Sequence, residues 1–463
     1  MIWKLSNAPQ ARWWWVRSER SAAREPAGVS RNSIRSQIRN LLLTSSKEFH
    51  NILQHMIRKS SLYSLIFTIF NDALGWGVVL TIFAPLLMSG TGHFLPPETS
   101  LHTQNLILGL LIACYPLTQF VFMPFLGAIS DHLGRKKVLE WTILCAGFSF
   151  ILSAIAIWKG SLFLLFLSRI LAGVFSANSA TAQAAIADIS SEREKAKNLS
   201  LSGIAGGLSW VIGPPLGGFL STKAYVPWAD FATPLWFVAG LFFINYFWIV
   251  KGFDETYVKT HREKHDWKQE IKDLAKLSSI PRMTPWLAIS FFFYLGWGFF
   301  VLFYPALLVQ KFQFDQSSIG LLSGYMSIFW LLSSTALNRG LAEKFKPEAF
   351  ILPGLALVGP LCIGLGFSNA IAWWYVTFPI LGMCGAAIWS NMLALLSNLA
   401  GKENQGKVFG ISQSLMSLAM FVSPLLSGLL AAMDERIPLT ASGVILIGIA
   451  VFASLYYFRK IRK

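Results

Sequence analysis

The stretch GAISDHLGRKK, residues 127 to 137, separates two long apolar runs of the chain. It places Arg135, Lys136 and Lys137 side by side, whereas the apolar runs on either side carry almost no charge. A basic loop between two apolar runs of about 20 residues is typical of membrane-spanning helices that turn back on the cytoplasmic side. The stretch therefore predicts a helical hairpin in a membrane, and the same pattern continues outward in both directions.

The composition places the whole chain in the membrane class. Of its 463 residues, 54% are hydrophobic and 13% are charged, and the mean hydropathy is +0.52. A soluble domain has about 25% charged residues. The net charge of +16 would suit nucleic acid only on a basic soluble face. Here the basic residues lie in loops and termini, so we expect a lipid bilayer and no nucleic acid as partner.

Apolar runs long enough to span a bilayer recur along the chain. We predict an all-α integral membrane protein with twelve transmembrane helices in two pseudo-symmetric six-helix bundles. The predicted segments, numbered 1 to 12, are residues 61–88, 104–127, 138–158, 162–187, 199–221, 232–250, 285–309, 316–337, 349–367, 371–397, 407–432 and 440–458.

The segments divide the chain into domains. Residues 1–59 form a basic arm, rich in Arg and Trp, which we expect to be disordered or a non-native extension. The first bundle occupies residues 60–250 and the second residues 283–458. The charged linker 251–282 joins the bundles, and residues 459–463 form a basic tail.

The positions of Lys and Arg predict the orientation. With twelve segments, the side that carries both termini holds 34 of the 39 Lys and Arg residues. The opposite side has only Lys159, Lys223, Lys311 and Arg436, and Arg169 lies within segment 4. Because loops rich in Lys and Arg stay in the cytoplasm, both termini and the linker are predicted to be cytoplasmic.

The two bundles carry related sequence phrases. LGWG occurs at 74–77 in segment 1 and again at 295–298 in segment 7. GPPLGGFL at 213–220 matches SPLLSGLL at 423–430, in segments 5 and 11. Two parallel repeats of six helices are the plan of rocker-type secondary transporters, whose substrate site lies near the midplane between the halves.

The opening stretch resembles the loop signature Gly-x-x-x-Asp-x-x-Gly-Arg-(Lys/Arg)-(Lys/Arg) of the major facilitator superfamily. Gly127 permits close helix packing and Gly134 a tight turn. Asp131 can accept hydrogen bonds from the start of a helix in the other half, where the helix dipole is positive. Arg135 can hold Asp131 and a further acid, which the family pattern places at Asp188. The resemblance implies a cytoplasmic gate; the alternative is an ordinary basic loop.

Two further motifs match the superfamily. Arg169 and Gly173 fit its Arg-x-x-x-Gly pattern in segment 4, which is associated with proton transfer; the alternative for a charge so deep is a structural ion pair.

The run GPPLGG in segment 5 supplies the antiporter signature through Gly213, Pro214, Gly217 and Gly218, and Ser209 replaces the Gly that usually precedes it. The resemblance implies an exporter. Taken alone, a cluster of Gly and Pro would indicate only close helix packing.

Segment 1 carries a carboxylate, Asp72, in the phrase FNDALGWG. The context is similar to the drug:proton antiporter branch of the superfamily, which includes tetracycline-efflux-like proteins of bacterial inner membranes. We expect Asp72 to carry the coupling proton, with Arg169 as its counter-charge. The alternative is that Asp72 and Asn71 merely bond neighbouring helices. The middles of segments 3, 9 and 11 have no acid, which argues against assuming tetracycline as substrate.

The superfamily resemblance implies a cavity lined by segments 1, 4, 7 and 10. Polar and aromatic side chains in these segments suit amphipathic compounds through stacking and cation–π contact. The candidate cavity residues are Asn71, Asn178, Gln183, Tyr294, Trp297, Trp389 and Asn391.

Other chemistries find little support in the sequence. The four cysteines have no metal-ligand or redox spacing, and neither HExxH nor GxSxG occurs. We therefore predict a monomeric, non-enzymatic transporter of a small molecule and protons, without metal or cofactor. Export of drugs is the first hypothesis. The alternatives are transport of a metabolite or siderophore, and a non-transporting sensor or interaction protein.

Overall fold

The computed structural model describes residues 31–88, 94–256, 280, 283–337, 340, 344–401 and 405–461. The chain divides into two compact units, Met1–Lys59 and Ser60–Lys463. Most of the predicted linker 251–282, and residues 1–30 of the predicted arm, lie outside the described residues.

The described residues form thirteen α-helices and one short π-helical segment. In chain order they are α1 Arg31–Met88, α2 Leu101–Leu133, α3 Arg135–Lys159, α4 Leu162–Val174, α5 Asn178–Ile189, α6 Glu192–Leu220, α7 Thr233–Gly252, α8 Met283–Phe312, α9 Gln316–Leu332, the π segment Ser333–Leu337, α10 Glu348–Phe367, α11 Ile371–Ala400, α12 Gln405–Met433 and α13 Ile437–Ile461.

Twelve helical spans in the described part are long and apolar enough to cross a membrane. The predicted all-helical membrane fold is confirmed, and segment 4 differs from the prediction. That segment was predicted as one helix but consists of α4 and α5, with a turn at residues 175–177. The Ser176 hydroxyl donates to the Gly173 carbonyl oxygen at 2.7 Å. Such side-chain bonds compete with the helical hydrogen-bond pattern and favour a break.

The two LGWG phrases bring equivalent helices into close contact. In the first half, a Cβ on Gly77 would lie 2.9 Å from Pro214 Cδ, so α1 packs tightly on α6. In the second half, a Cβ on Gly298 would lie 2.5 Å from Ser423 Oγ, so α8 packs in the same way on α12. Pro214 and Ser423 lie in the phrases that the sequence pairs. The repeat therefore reflects a shared need for small residues where these helices meet.

The described parts of the halves, α1–α7 and α8–α13, meet mainly through two helix pairs, α2 with α12 and α6 with α9. We name the two ends of the bundle by their turns. The basic face carries the turns at Gly134, Ser190 and Gly401, and the far face carries those at Gly160 and Ser221.

Contact between the halves is close at the far face and sparse at the basic face. In α2, seven of the twelve residues from 105 to 116 are buried, whereas in 117–133 only Ser130 is buried. Phe120, Val121 and Phe125 are instead exposed. Among the described residues, the halves are therefore in contact at the far face and apart towards the basic face.

Helix α9 begins at the far face with a side-chain cap. Asp315 accepts hydrogen bonds from the Ser318 backbone N–H at 3.0 Å and from the Ser317 hydroxyl at 2.6 Å. Partial burial by itself would raise the pKa of the Asp315 carboxyl. The hydrogen bonds from Ser317 and Ser318 outweigh burial, so its pKa is lowered from the ordinary value.

We expect Asp315→Ala to lower the free energy of unfolding by about 0.5–2 kcal/mol at pH 7, because the first turn of α9 loses its cap. A lowered native pKa stabilises the fold above the unfolded-state pKa of about 3.9. This stabilisation is lost as the pH falls through the native pKa, so the difference from wild type should shrink below about pH 4. Unfolding of detergent-purified protein at several pH values measures it. Glu98→Ala, at an exposed position, is the control, and equal stability of both variants at pH 7 would contradict the prediction.

Candidate functional site

The break in segment 4 is occupied by Asp72 of α1. The Ser179 hydroxyl donates to Asp72 Oδ2 at 2.8 Å, and Asn178 Nδ2 donates to Asp72 Oδ1 at 3.4 Å. Both donors belong to the first turn of α5, where backbone N–H groups lack partners within the helix and the helix dipole is positive. The carboxylate is therefore held by the start of a half-helix inside the bundle.

Arg169 lies on the other half of the broken segment, in α4, and is 2% exposed. Its guanidinium donates to the hydroxyls of Ser153 and Ser168. It also lies 5.6 Å from the ring centroid of Phe83 and 5.2 Å from that of Phe150. Hydroxyl acceptors and aromatic faces thus replace part of the hydration that a buried cation loses.

Asp72 and Arg169 line one small cavity without forming a direct ion pair in the described structure. Its volume is about 20 Å³, which is space for about one water molecule. Tyr115 and Trp76 also line it, with their ring centroids 4.8 Å apart. A single water there can contact polar groups of α1, α2 and α4. The two predicted coupling residues therefore share a small cavity instead of forming a salt bridge.

The remaining polar candidates of the first half differ in their surroundings. Asn71 is fully buried, and neither polar atom of its amide has a hydrogen-bond partner among the described residues. Asn178 is fully buried too, and its Oδ1 is unpaired in the same part of the chain. Gln183 lies on α5 and is half-buried.

No group of three or more His, Cys, Asp or Glu among the described residues could hold a metal ion.

The aromatic candidates of the second half form one cluster, which we call the tryptophan cluster: Trp297, Trp330, Trp389 and Tyr294. Ring centroids are 5.3 Å apart for Trp297 and Trp330, 5.9 Å for Trp330 and Trp389, and 4.8 Å for Tyr294 and Trp389. A Cβ on Gly385 would lie 2.5 Å from the Trp297 ring. Helices α8, α9 and α11 thus meet around packed indoles, with Trp330 and Trp389 half-buried.

The structure adds one residue to this cluster and separates another from it. Trp330 was missed because segment 8 was not expected to line the cavity, and no motif marks the residue. Asn391 follows Trp389 by two positions on α11, so the two side chains point in different directions. Asn391 donates back to the Ala387 carbonyl oxygen of its own helix at 2.9 Å.

The antiporter motif of α6 lies between the two halves. A Cβ on Gly213 would lie 2.9 Å from the Leu74 carbonyl oxygen, and one on Gly217 would lie 3.1 Å from Val78 Cα, both on α1. A Cβ on Gly218 would instead lie 2.5 Å from the Gln316 carbonyl oxygen of α9. These positions need glycine because backbones of two neighbouring helices approach them.

At the basic face, Arg135 connects the acids that the loop motif predicts. Its Nη1 lies 2.7 Å from Asp131 Oδ1, and its Nε lies 3.3 Å from Asp188 Oδ2. Its Nη1 also donates to Ser130 Oγ at 2.9 Å. The structure thus joins the ends of α2, α3 and α5 through one guanidinium. Gly127 lies one turn before Asp131 in α2, and no described atom would lie within 4 Å of a Cβ there.

Glu255 is a further acid at this face that the sequence reasoning missed. It accepts hydrogen bonds from the backbone N–H groups of Arg135 at 2.9 Å and Lys136 at 3.1 Å. It therefore caps α3, where an anion is favoured by the helix dipole. Gly134 has a φ of 100°, and a Cβ there would collide with the Glu255 carboxylate. The motif predicted the need for a glycine at position 134. It could not predict that the cap of α3 comes from a residue 120 positions later in the chain.

We expect Glu255→Ala to lower the free energy of unfolding by about 1 kcal/mol, because two backbone N–H groups lose their acceptor and α3 loses a favourable charge. Thermal unfolding of purified protein measures the change. Asp254→Ala is the matched control, since this neighbouring carboxylate is also exposed but accepts no hydrogen bond from a backbone N–H group among the described residues. Equal unfolding temperatures for the two variants would show that the cap contributes nothing.

The sequence is similar to that of known transporters along most of its length. A sequence model of the Major Facilitator Superfamily matches residues 65–378 and 286–463. The chain is 26% identical to the class D tetracycline resistance protein of Salmonella ordonez over 414 residues, covering 86% of this chain and 96% of the relative. It is also 26% identical to the quinolone resistance protein NorA of Staphylococcus aureus (strain MSSA476) over 405 residues, covering 84% and 95%.

The fold has a similar counterpart among solved structures. A bacterial homolog of the human lysosomal transporter Spinster, in an inward-facing and unoccupied conformation, superimposes with a TM-score of 0.69 at 12% sequence identity. The match covers 88% of this chain and 97% of that protein. The resemblance that the sequence motifs predicted, to drug-efflux members of this superfamily, is confirmed.

Proposed function

Because the chain belongs to the Major Facilitator Superfamily and is a multi-pass membrane transporter, we propose that it exports small amphipathic compounds in exchange for protons. In this proposal the two halves rock against each other, so that the site between them faces the two sides of the membrane in turn. The basic face is cytoplasmic, and the described conformation, open at that face, is inward-facing. The protein acts as a monomer in a bacterial inner membrane.

The proposal rests chiefly on the position of Asp72. Among the described membrane spans, the first of which is Lys59–Met88, it is the one carboxylate more than two turns from either end of its span. As an anion it accepts from Ser179 and Asn178 at the start of α5, where negative charge is favoured. A proton on the carboxylate removes that charge and weakens its hold on α5. Proton uptake thus acts directly on the break between the two halves of segment 4.

Arg169 supports the exchange from the opposite side of the cavity. Because a guanidinium remains charged, it favours the return of Asp72 to the anionic state after proton release. A water in the shared cavity provides a route for the proton without direct contact between the two charges. In this scheme Arg169 is a fixed positive charge beside the path of the proton. It remains protonated throughout the cycle.

The tryptophan cluster supplies the substrate-facing surface of the second half. It contains no acid, and the described acids of that half, Asp315, Glu348, Asp434 and Glu435, lie at helix ends. Flat aromatic or cationic groups bind indole faces by stacking and cation–π contact. Relatives that carry names of tetracycline and quinolone resistance favour drug-like compounds over a metabolite or siderophore.

The expected result for Asp72→Asn is loss of transport driven by a pH gradient, by at least about tenfold, because the amide cannot carry the proton. Substrate exchange without a gradient should continue, since the amide keeps the size and most hydrogen bonds of the acid. Proteoliposomes loaded with a fluorescent cationic dye or with tetracycline provide both measurements.

The matched control is Glu98→Gln, the same chemical change at an exposed far-face position. Gradient-driven transport by Asp72→Asn at the rate of Glu98→Gln would refute coupling through Asp72. Absence of any flux for wild type, across dyes, antibiotics and metal chelates, would favour the sensor or interaction protein.

For the substrate surface, we expect Trp389→Ala to raise the KM for an aromatic substrate about two- to tenfold, which corresponds to the loss of one aromatic contact. Trp373→Ala is the control, because Trp373 lies on the same helix, is 45% exposed and stands outside the cluster. Equal KM values for these two variants would contradict a substrate role for the cluster.

A further inference from the structure

We propose that Asn105 and Gln316 form two uncharged clasps that hold the far face of the transporter closed. Each amide belongs to one half of the protein and donates to a backbone carbonyl of the other half. The inference rests on the proposed transport cycle only in requiring that this face opens. It assigns the closing force at that face to two residues that no superfamily motif marks.

The first clasp connects α2 to α12. Asn105 is 1% exposed, and its Nδ2 donates to the Ala431 carbonyl oxygen at 3.1 Å. Its Oδ1 accepts from Gln310 Nε2 of α8 at 2.9 Å. Both ends of one buried amide in the first half are therefore satisfied by the second half. Separation of the halves would break both bonds at once.

The second clasp connects α9 to α6 in the opposite sense. Gln316 Nε2 donates to the Ser221 carbonyl oxygen at 3.1 Å. Here the amide belongs to the second half and the acceptor to the first. The two clasps thus lie in the two helix pairs that join the halves, α2 with α12 and α6 with α9.

The acceptors explain why these bonds matter. Ala431 lies in the last turn of α12, which ends at Met433, and Ser221 is the residue after the end of α6. The last carbonyls of a helix have no partner within it. Each clasp therefore satisfies a helix end of the other half, which would otherwise require water.

Close backbone packing protects the first clasp from water. A Cβ on Gly109 would lie 2.6 Å from the Pro424 carbonyl oxygen, and one on Gly428 would lie 2.9 Å from the Asn105 carbonyl oxygen. Hydrogen bonds shielded in this way gain strength from the low local dielectric. The clasp and the glycines beside it therefore act as one closed contact.

The test measures how readily the far face opens. Ser427 is fully buried on α12, so Ser427→Cys, in a background with the four natural cysteines replaced, becomes a reporter for opening. Alkylation by a maleimide, with the protein in lipid nanodiscs and without substrate, should be slow. We expect Asn105→Leu and Gln316→Leu each to raise the alkylation rate about two- to tenfold, as the loss of a hydrogen bond predicts, and the double variant to raise it further.

Gln104→Leu is the matched control. This amide precedes Asn105 on α2, but its Nε2 donates to the Thr99 carbonyl oxygen of its own half at 3.1 Å. We expect it to leave the alkylation rate unchanged. If both clasp variants label at the rate of the parent, or if Gln104→Leu labels as fast as they do, the proposal is wrong.

A second pair of variants covers the case in which a clasp variant fails to fold. Gly109→Ala places a methyl group against the α12 backbone and should also speed alkylation. Gly240→Ala, where no described atom lies within 4 Å of the added carbon, should not. Equal rates for these two would overturn the proposal. Because no substrate or proton gradient is used, that outcome would leave coupling through Asp72 untouched.

Discussion

A helix that breaks inside a membrane leaves backbone N–H groups that the surroundings must satisfy, and this constraint shapes the centre of the protein. The turn at 175–177 places the start of α5 inside the bundle, and Asp72 accepts hydrogen bonds from the side chains of its first residues, Asn178 and Ser179. A carboxylate in an apolar helix and a gap in a neighbouring helix are each unfavourable alone. Together they stabilise one another.

The two faces of the bundle are stabilised by different chemistry. At the basic face, Arg135 joins Asp131 and Asp188 while Glu255 caps α3, so the turn between α2 and α3 is bound by charge. At the far face the halves meet through glycine contacts and uncharged amides. Charged contacts near water weaken with salt and exchange partners readily. An amide shielded by close packing, such as that of Asn105, is less open to competition from water and ions.

Much of the geometry of the candidate site could be predicted from the sequence, and the exceptions have physical reasons. The loop signature identified Arg135 with both of its acids, and FNDALGWG identified Asp72. Glu255 and Trp330 were missed because each acts across a long sequence separation, where neither periodicity nor spacing carries information. The expected pairing of Asp72 with Arg169 is replaced by a shared cavity, since Ser153, Phe83 and Phe150 already surround the guanidinium.

The sequence by itself determined the membrane class, the twelve spans, the repeat and the superfamily, because hydropathy and short motifs are local properties that survive without a fold. Only the tertiary structure decided that segment 4 is broken, which helix start holds Asp72, which indoles cluster and which face is shut. These features depend on how close two helices approach. A glycine such as Gly109 permits that approach, but the sequence does not say which helix packs against it.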